Sequence, residues 1–305
     1  MTDPPAPSGK PTRAGFVAIL GRPNAGKSTL LNALVGEHLA AVSPKVQTTR
    51  HRIPGFWTDG DTQIVFVDTP GLLEPGYALQ DAMMETARTA LDGVDAAYWL
   101  VDHDEPSDLE KTLLAGLARR EVPLFLLLTK ADQVPAAKLL SREERWGAAA
   151  PWRRVLRVAA PTGEGLETLL EATREILPAQ SFFYPADQLT DLSLRFLAAE
   201  LVREACYEEL GQEIPYSVHV TVDDWREPVG VGETTAIRAT IHVERESQKG
   251  IVIGGRGGRL KAIGTRARQE IEALVGGPVY LTLWVKVRKR WSRREADLRQ
   301  FGYRR

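Results

Sequence analysis

The chain has 305 residues, 43% hydrophobic and 26% charged, an ordinary globular composition with length enough for two domains, each with its own core. One cysteine, Cys206, excludes an internal disulfide and fits a reducing compartment, and its neighbours mark it as a helical core position. His38, His51, His103, His219 and His242 lack metal-ligand spacing, and no run of about 18 apolar residues is present to span a membrane.

The net charge of −1 conceals a split. From Arg245 onward, 16 Lys and Arg face 5 Asp and Glu, a net of +11, which leaves −12 on the rest. An acidic body with a basic end points to an anionic partner for that end, either nucleic acid or a membrane surface.

Residues 1–13 carry Pro4, Pro5, Pro7 and Pro11 with little apolar content and read as a disordered tail. The apolar run 16–20 then predicts a buried strand, and 28–35 a helix. Between them Gly21-Arg22-Pro23-Asn24-Ala25-Gly26-Lys27-Ser28 spells G-x-x-x-x-G-K-S, followed by Thr29. Strand, loop and helix are the setting this phosphate loop needs. Its glycines let backbone N–H groups turn inward on a phosphate, Lys27 reaches the β- and γ-phosphates, and the Ser28 hydroxyl can ligate Mg²⁺.

The next apolar run, 64–67, ends at Asp68-Thr69-Pro70-Gly71. A carboxylate there can hold a Mg²⁺-bound water, and the Gly71 N–H can meet a γ-phosphate. Many nucleotide hydrolases place Gln directly after this turn to orient the attacking water; here Leu72 stands in that place and cannot polarise water, so a slow isolated rate is expected. Further strands at 97–101, 124–128 and 155–158 alternate with helices near 79–92, 107–120, 136–148 and 165–177, which predicts a mostly parallel, doubly wound sheet with the ligand at the strands' carboxyl ends. Thr129-Lys130-Ala131-Asp132 closes the strongest strand. Asp132 can accept two guanine N–H protons, a pair that adenine does not offer, and the Lys130 stem can lie over the base. Thr129 replaces the usual Asn of this signature, so some loss of polar contact is expected without a change of base. Ala159 and Ala160 sit where backbone contacts to the guanine oxygen are usual, without the customary Ser.

The pattern changes after a boundary near 178–185. A helix at about 189–210, alternating strands at 217–223 and 235–243, a glycine-rich stretch, a helix through Leu260, Ile263, Ala267, Ile271 and Leu274, and a last strand at 279–288 follow. Gly254-Gly255-Arg256-Gly257 is a G-x-x-G loop. In a KH domain such a loop joins two helices and clamps about four single-stranded nucleotides. The last strand puts Val279, Leu281, Leu283, Val285 and Val287 on one face and Tyr280, Trp284, Lys286 and Arg288 on the other.

These motifs, together with Gln47-Thr48-Thr49-Arg50-His51-Arg52, Ser247-Gln248-Lys249-Gly250 and Leu298-Arg299-Gln300-Phe301-Gly302-Tyr303, closely resemble the Era family of bacterial GTPases over nearly the whole chain after the tail. The resemblance implies an α/β P-loop NTPase domain (Ras-like) over 14–180 and an α+β type II KH domain with a basic extension over 181–305. It implies GTP/GDP and Mg²⁺ as ligands, with Ser28, Thr49 (Thr48 second) and Asp68 around the metal. Lys27, Asn24 and Thr49 are implied as catalytic groups, Asn24 by helping a K⁺ ion bind beside the phosphates. Gly254, Gly255, Arg256, Gly257, Arg259, Lys261 and Lys286 are the implied RNA-binding set. The implied partners are the 3′ end of small-subunit ribosomal RNA and the 30S subunit, bound by a monomer in the cytoplasm with peripheral contact to the inner membrane. Two other readings stay open: an RNA-binding scaffold whose nucleotide site does not turn over, favoured by Leu72, and a membrane-surface protein using its basic end.

Overall fold

A computed structural model describes residues 11–211, 213–227, 230 and 234–304. Residues 1–10, most of the expected tail, lie outside the described residues, and a strand already begins at Arg13. The chain divides into two units. One comprises Met1–Leu39, Arg52–Leu73 and Thr86–Asp191, the other Ala40–His51, Glu74–Glu85 and Leu192–Arg305.

The first unit is built on β1 (Arg13–Gly21), α1 (Lys27–Val35), β2 (Ile53–Asp59), β3 (Thr62–Asp68), β4 (Ala96–Val101), α3 (Asp108–Ala118), β5 (Leu124–Leu128), α4 (Ala136–Gly147), β6 (Trp152–Arg157) and α5 (Leu166–Arg174), with α2 (Ala78–Thr89) entering it at Thr86. Its sheet runs β2-β3-β1-β4-β5-β6, with every pair parallel except β2–β3. Strands β3, β4 and β5 are buried at every position, which is why they read as unbroken apolar runs rather than alternating ones. Strand β2 is absent from the sequence reading because Pro54 and Gly55 argue against a strand. Pro54 is tolerated because β2 is the last strand of the sheet. Its outer side receives no further strand but does receive the chain at 189–190, through Phe56 N–H to Leu189 O (2.8 Å) and Thr190 Oγ1 to Pro54 O (2.7 Å).

That same stretch sets the end of the unit. Phe183 packs on Phe16 (4.6 Å between centroids), Tyr184 stacks on Phe56 (3.9 Å), and the Gln63 amide binds both the Phe183 N–H and the Tyr184 carbonyl. Residues 181–191, expected in the second domain, thereby belong to the first.

The second unit contains α6 (Leu194–Glu209), β7 (His219–Arg226), β8 (Thr235–Val243), α7 (Glu246–Ile253), α8 (Gly258–Val275), β9 (Val279–Val287) and α9 (Glu295–Gln300). Strand β8 pairs antiparallel with β7 and parallel with β9. Leu201, Val202, Val252, Ile263, Ala267 and Ile271 fill one face of this sheet. Cys206 is in the same core, where burial pushes its thiol up to about 12.

The segments 40–51 and 74–85 belong here through buried polar bonds. The Arg50 guanidinium donates to the carbonyls of Val218, Pro215 and Tyr216 and to the Tyr207 hydroxyl, the His51 ring stacks on Tyr303 (4.4 Å), and Tyr77 Oη donates to Gln47 Oε1 (3.1 Å). Burial lowers His51 and His242 to about 4 and also holds His219 well below its usual value.

Because the unfolded chain takes up these protons near pH 6.5, stability is full above that pH and declines as pH falls towards 4. On the order of 2 kcal/mol is expected to be lost for each of His51 and His242. Urea unfolding between pH 7.5 and 4.5 checks it; a midpoint that does not move with pH removes the claim.

Candidate functional site

The carboxyl ends of β1, β3, β4 and β5 gather the polar motifs of the first unit. After β1 the backbone takes positive φ at Asn24 (65°) and Gly26 (92°), and α1 begins at Lys27. Asn24 suits its place because Asn tolerates the left-handed region better than most residues. The Lys27 ammonium is buried and donates to Gly21 O (3.2 Å) and Arg22 O (2.9 Å). Burial lowers its pKa to about 8, against the opposing pull of Asp68 and Asp102.

Ser28 Oγ donates to Asp68 Oδ2 at 2.7 Å, so the hydroxyl and carboxylate expected around Mg²⁺ converge. Both are hard oxygen donors, and no group of three or more His, Cys, Asp or Glu surrounds them or any other point among the described residues. A pair of oxygen ligands with room for waters and phosphate oxygens fits Mg²⁺ rather than a metal that demands a full protein cage. Thr48 and Thr49 lie in the Ala40–His51 segment of the second unit, where Thr48 Oγ1 donates to Lys45 O (2.7 Å). The first unit by itself therefore assembles Ser28 and Asp68 but not Thr49.

Gly71 comes so near the phosphate loop that a Cβ would sit 2.6 Å from Pro23 N. The Leu72 N–H donates to Gly21 O (3.0 Å) while its side chain is buried, so it offers no polar group to a water.

A cavity of about 190 Å³ is lined by Gly26, Thr29, Leu30, Thr129, Lys130, Asp132, Gln133, Val158, Ala160 and Pro161. It brings together the base-reading residues read from sequence, except that Ala159 is wholly buried behind it. The Thr129 hydroxyl bonds to Ala25 O (2.9 Å), with Val101 O at 3.2 Å. The Thr that replaces Asn thus still ties the base site to the phosphate loop. Lys130 has φ of 56° and its ammonium meets Asp102 Oδ2 at 2.7 Å. Burial raises the Asp102 pKa, but hydrogen bonds from His103 and Lys130 outweigh it and hold the carboxyl at about 2.

Sequence reading missed Asp102, although its place just past β4 is the same strand-end signal that exposed Asp68 and Asp132. It also missed Glu110, which anchors the loop through Arg22 (Nη2 to Oε2, 2.7 Å) and closes a capping box with Ser107 at the start of α3.

In the second unit, α7 ends into Gly254 (φ 70°), one tight turn over Gly255–Gly257, and the start of α8. A Cβ on Gly254 would lie 2.7 Å from Arg259 Cβ, so this glycine is required by space as well as by φ. Arg256, at φ 52°, projects from the turn and is exposed. Arg259 spends one N–H on Ile251 O (2.9 Å), tying α8 to α7, and Lys261 is exposed on the first turn of α8. Lys286 is not part of this cluster. Its β9 position alternates with Val285 and Val287, which face the helices, and so it lies on the opposite side of the sheet.

Residues 16–130 match the 50S ribosome-binding GTPase family, and residues 213–292 match the KH domain. GTPase Era of Geobacter metallireducens is 42% identical over 97% of this chain and 99% of its own, and GTPase Era of a second Geobacter strain is 43% identical over equal shares. The chain belongs to the Era family. Two solved Era structures superpose with TM-scores of 0.91 at 36% identity, covering 96% of this chain and 99% of theirs. One is a complex with MgGDPNP and nucleotides 1506–1542 of 16S ribosomal RNA. The other is an Aquifex aeolicus tyrosine-to-alanine variant bound to GDP and AlF4⁻. The P-loop fold with its KH unit, expected from the motifs, is thereby established for this chain, and so is its place among GTPases.

Two substitutions probe the Era-type site. Asp132→Asn removes a charged acceptor from the base cavity and is expected to cost about 2 kcal/mol, roughly thirtyfold in Kd for GDP, with no gain for ADP. Equilibrium titration with both nucleotides checks it. Gly71→Ala forces the Asp68–Gly71 turn off the phosphate loop, and single-turnover phosphate release is expected to fall roughly a hundredfold.

Proposed function

We propose that this chain is a GTP-hydrolysing switch whose KH unit grips single-stranded RNA at the 3′ end of 16S ribosomal RNA and so assists 30S subunit assembly. The observation that carries it is the pairing, in one chain, of a guanine-sized cavity joined to a phosphate loop with a glycine turn of KH geometry. The solved relative bound to MgGDPNP and to nucleotides 1506–1542 of 16S ribosomal RNA supports both halves.

In the reaction, water attacks the γ-phosphorus, its bond to the β–γ bridging oxygen breaks, and GDP leaves with phosphate. Asp132 and Lys130 fix the base, and the N–H groups of the loop from Asn24 to Thr29 cradle the phosphates. Lys27 brings a positive charge to the β- and γ-oxygens, whose own charge favours its protonated form. Ser28 and Asp68, the latter through water, would hold Mg²⁺, which when bound supplies charge to the bridging and γ-oxygens. Thr49 is the third metal ligand in this reading. The Gly71 N–H is placed to sense the γ-phosphate.

Leu72 supplies no group to the water, so Asn24 is assigned to hold K⁺ beside the phosphates. Asn24 is exposed on the loop with φ of 65°, a conformation that Gly adopts without strain. Phosphate release is expected to run severalfold faster in KCl than in NaCl, and Asn24→Gly to erase the difference. Equal rates in the two salts for the unaltered protein sink the K⁺ assignment, and no release in either leaves a binding-only scaffold.

For RNA, the backbone at Gly255 accepts a side chain, since a Cβ there meets nothing within 4 Å, and Asp tolerates the left-handed φ of Arg256. Gly255→Asp with Arg256→Asp therefore changes charge without disturbing the fold. RNA affinity is expected to fall at least roughly tenfold while GTP affinity holds; unchanged RNA binding refutes the KH assignment.

No helix among the described residues is long and apolar enough to cross a membrane. We place the protein in the cytoplasm, with the net +11 of its last 61 residues able to meet an anionic membrane surface. Sedimentation with anionic vesicles, with and without RNA, tests that contact.

A further inference from the structure

The RNA segment in the solved relative is far longer than the about four nucleotides that a glycine loop clamps. Helices α6, α7 and α8 cover one face of the β7-β8-β9 sheet, and the glycine loop lies on their side. The other face is covered only in part. Phe301 stacks on His219 (3.9 Å) and lies 5.1 Å from His242, which closes one end.

Beyond it, β9 presents Tyr280, Thr282, Trp284 and Lys286, in register with Ala236, Arg238, Thr240 and His242 of β8. Tyr280 is 67% exposed and Trp284 56%, large values for aromatic side chains. Strand geometry sets the two rings roughly 13 Å apart with Thr282 midway, far enough for each to take a separate base.

The cations fit a phosphate chain running past those rings. Lys286 is the next residue on this face after Trp284, and among the described residues it has no carboxylate within ion-pair distance. Arg238 lies opposite Thr282, between the rings, and is half exposed with only a 3.9 Å approach to Asp224. The acidic groups of this face are already engaged: Asp223 accepts from Thr240 Oγ1 (2.6 Å), Asp224 from Arg226 (3.1 Å), and Asp297 from Arg288.

A protein interface core or a membrane-inserted face needs contiguous apolar surface. Here the exposed rings are interleaved with Thr282 and Arg238. Isolated π-faces beside cations are instead the composition of a single-strand stacking platform.

We propose that the open face of this sheet is a second RNA-contact surface, on which Tyr280 and Trp284 stack unpaired bases and Lys286 and Arg238 hold the adjoining phosphates. This rests on the RNA-binding function stated above.

The test is fluorescence anisotropy of the full chain with RNA spanning nucleotides 1506–1542 of 16S ribosomal RNA, with GTPase rate as the check on folding. Tyr280→Ala with Trp284→Ala is expected to raise Kd roughly tenfold or more and to leave the GTPase rate alone. Trp284→Phe, which keeps a ring, is expected to stay near the unaltered value. Unchanged binding by the double variant overturns the proposal, and so does a Trp284→Phe loss as large as that of Trp284→Ala. Lost sedimentation with phosphatidylglycerol vesicles at unchanged RNA affinity overturns it in favour of a membrane. If Gly255→Asp with Arg256→Asp leaves binding intact, it is the KH-loop reading that fails, and the two failures are thus distinguishable.

Discussion

The approach of Gly71 to Pro23 is the constraint on which the nucleotide site depends. With no side chain on Gly71, the turn after β3 lies directly against the phosphate loop after β1, and the Leu72 N–H bonds to Gly21 O. Parallel pairing of β1 with β3 brings both strand ends to one level, with Ile19 beside Asp68. That register is what allows Ser28, the second residue of α1, to reach the Asp68 carboxylate. In the proposed function Gly71 senses the γ-phosphate, and only a glycine permits its contact with the loop. Thr129 performs the matching task from the other side, since its bond to Ala25 O fixes the distance between phosphate loop and base cavity.

Most of the first unit was legible because its central strands are buried on both faces. Burial of that kind requires continuous apolar runs, and the polar residue that ends each run marks the ligand side of the sheet. Asp68, Thr129 and Asp132 were found by that logic, and Asp102 was open to it. Strand β2 was hidden because Pro54 and Gly55 contradict local strand preference, and only the edge position makes them acceptable. The domain boundary was read about ten residues early. The Pro-flanked aromatic stretch near 183 has the composition of a linker, but its rings pack on Phe16 and Phe56, a contact between residues more than 120 apart in sequence.

The second unit shows a different limit on sequence reading. Nothing in the local pattern of 40–51 marks it as part of a KH unit, since Arg50 and His51 look like solvated loop residues. In the structure Arg50 is almost wholly buried, and its two terminal nitrogens donate to three carbonyls and the Tyr207 hydroxyl. A buried guanidinium is tolerable only when its N–H groups are met in this way, because a charge left unpaired inside a protein costs several kcal/mol. The partners come from residues beyond 200, so the burial is a tertiary fact without a short-range signature. The expected metal ligand Thr49 is next in sequence to this anchor, and its grouping with the second unit follows from Arg50.

Alternation along β9 explains why Lys286 does not join Arg256 and Lys261. A strand with one face in a core must send every second residue away from it, and the valines at 285 and 287 fix which face is inward. Lys286 is therefore bound to the side of Tyr280 and Trp284 by the same periodicity that builds the core. A one-residue slip would bury the lysine and the tryptophan and expose the valines, a cost the hydrophobic core forbids. The two faces consequently have different chemistry. On the helix side, glycines let a phosphate backbone come close; on the open side, two exposed rings suit the flat faces of bases. A backbone clamp holds position without reading or shielding bases, whereas stacking engages bases and leaves the backbone to nearby cations. One small sheet thus offers the complementary halves of a grip on a single strand.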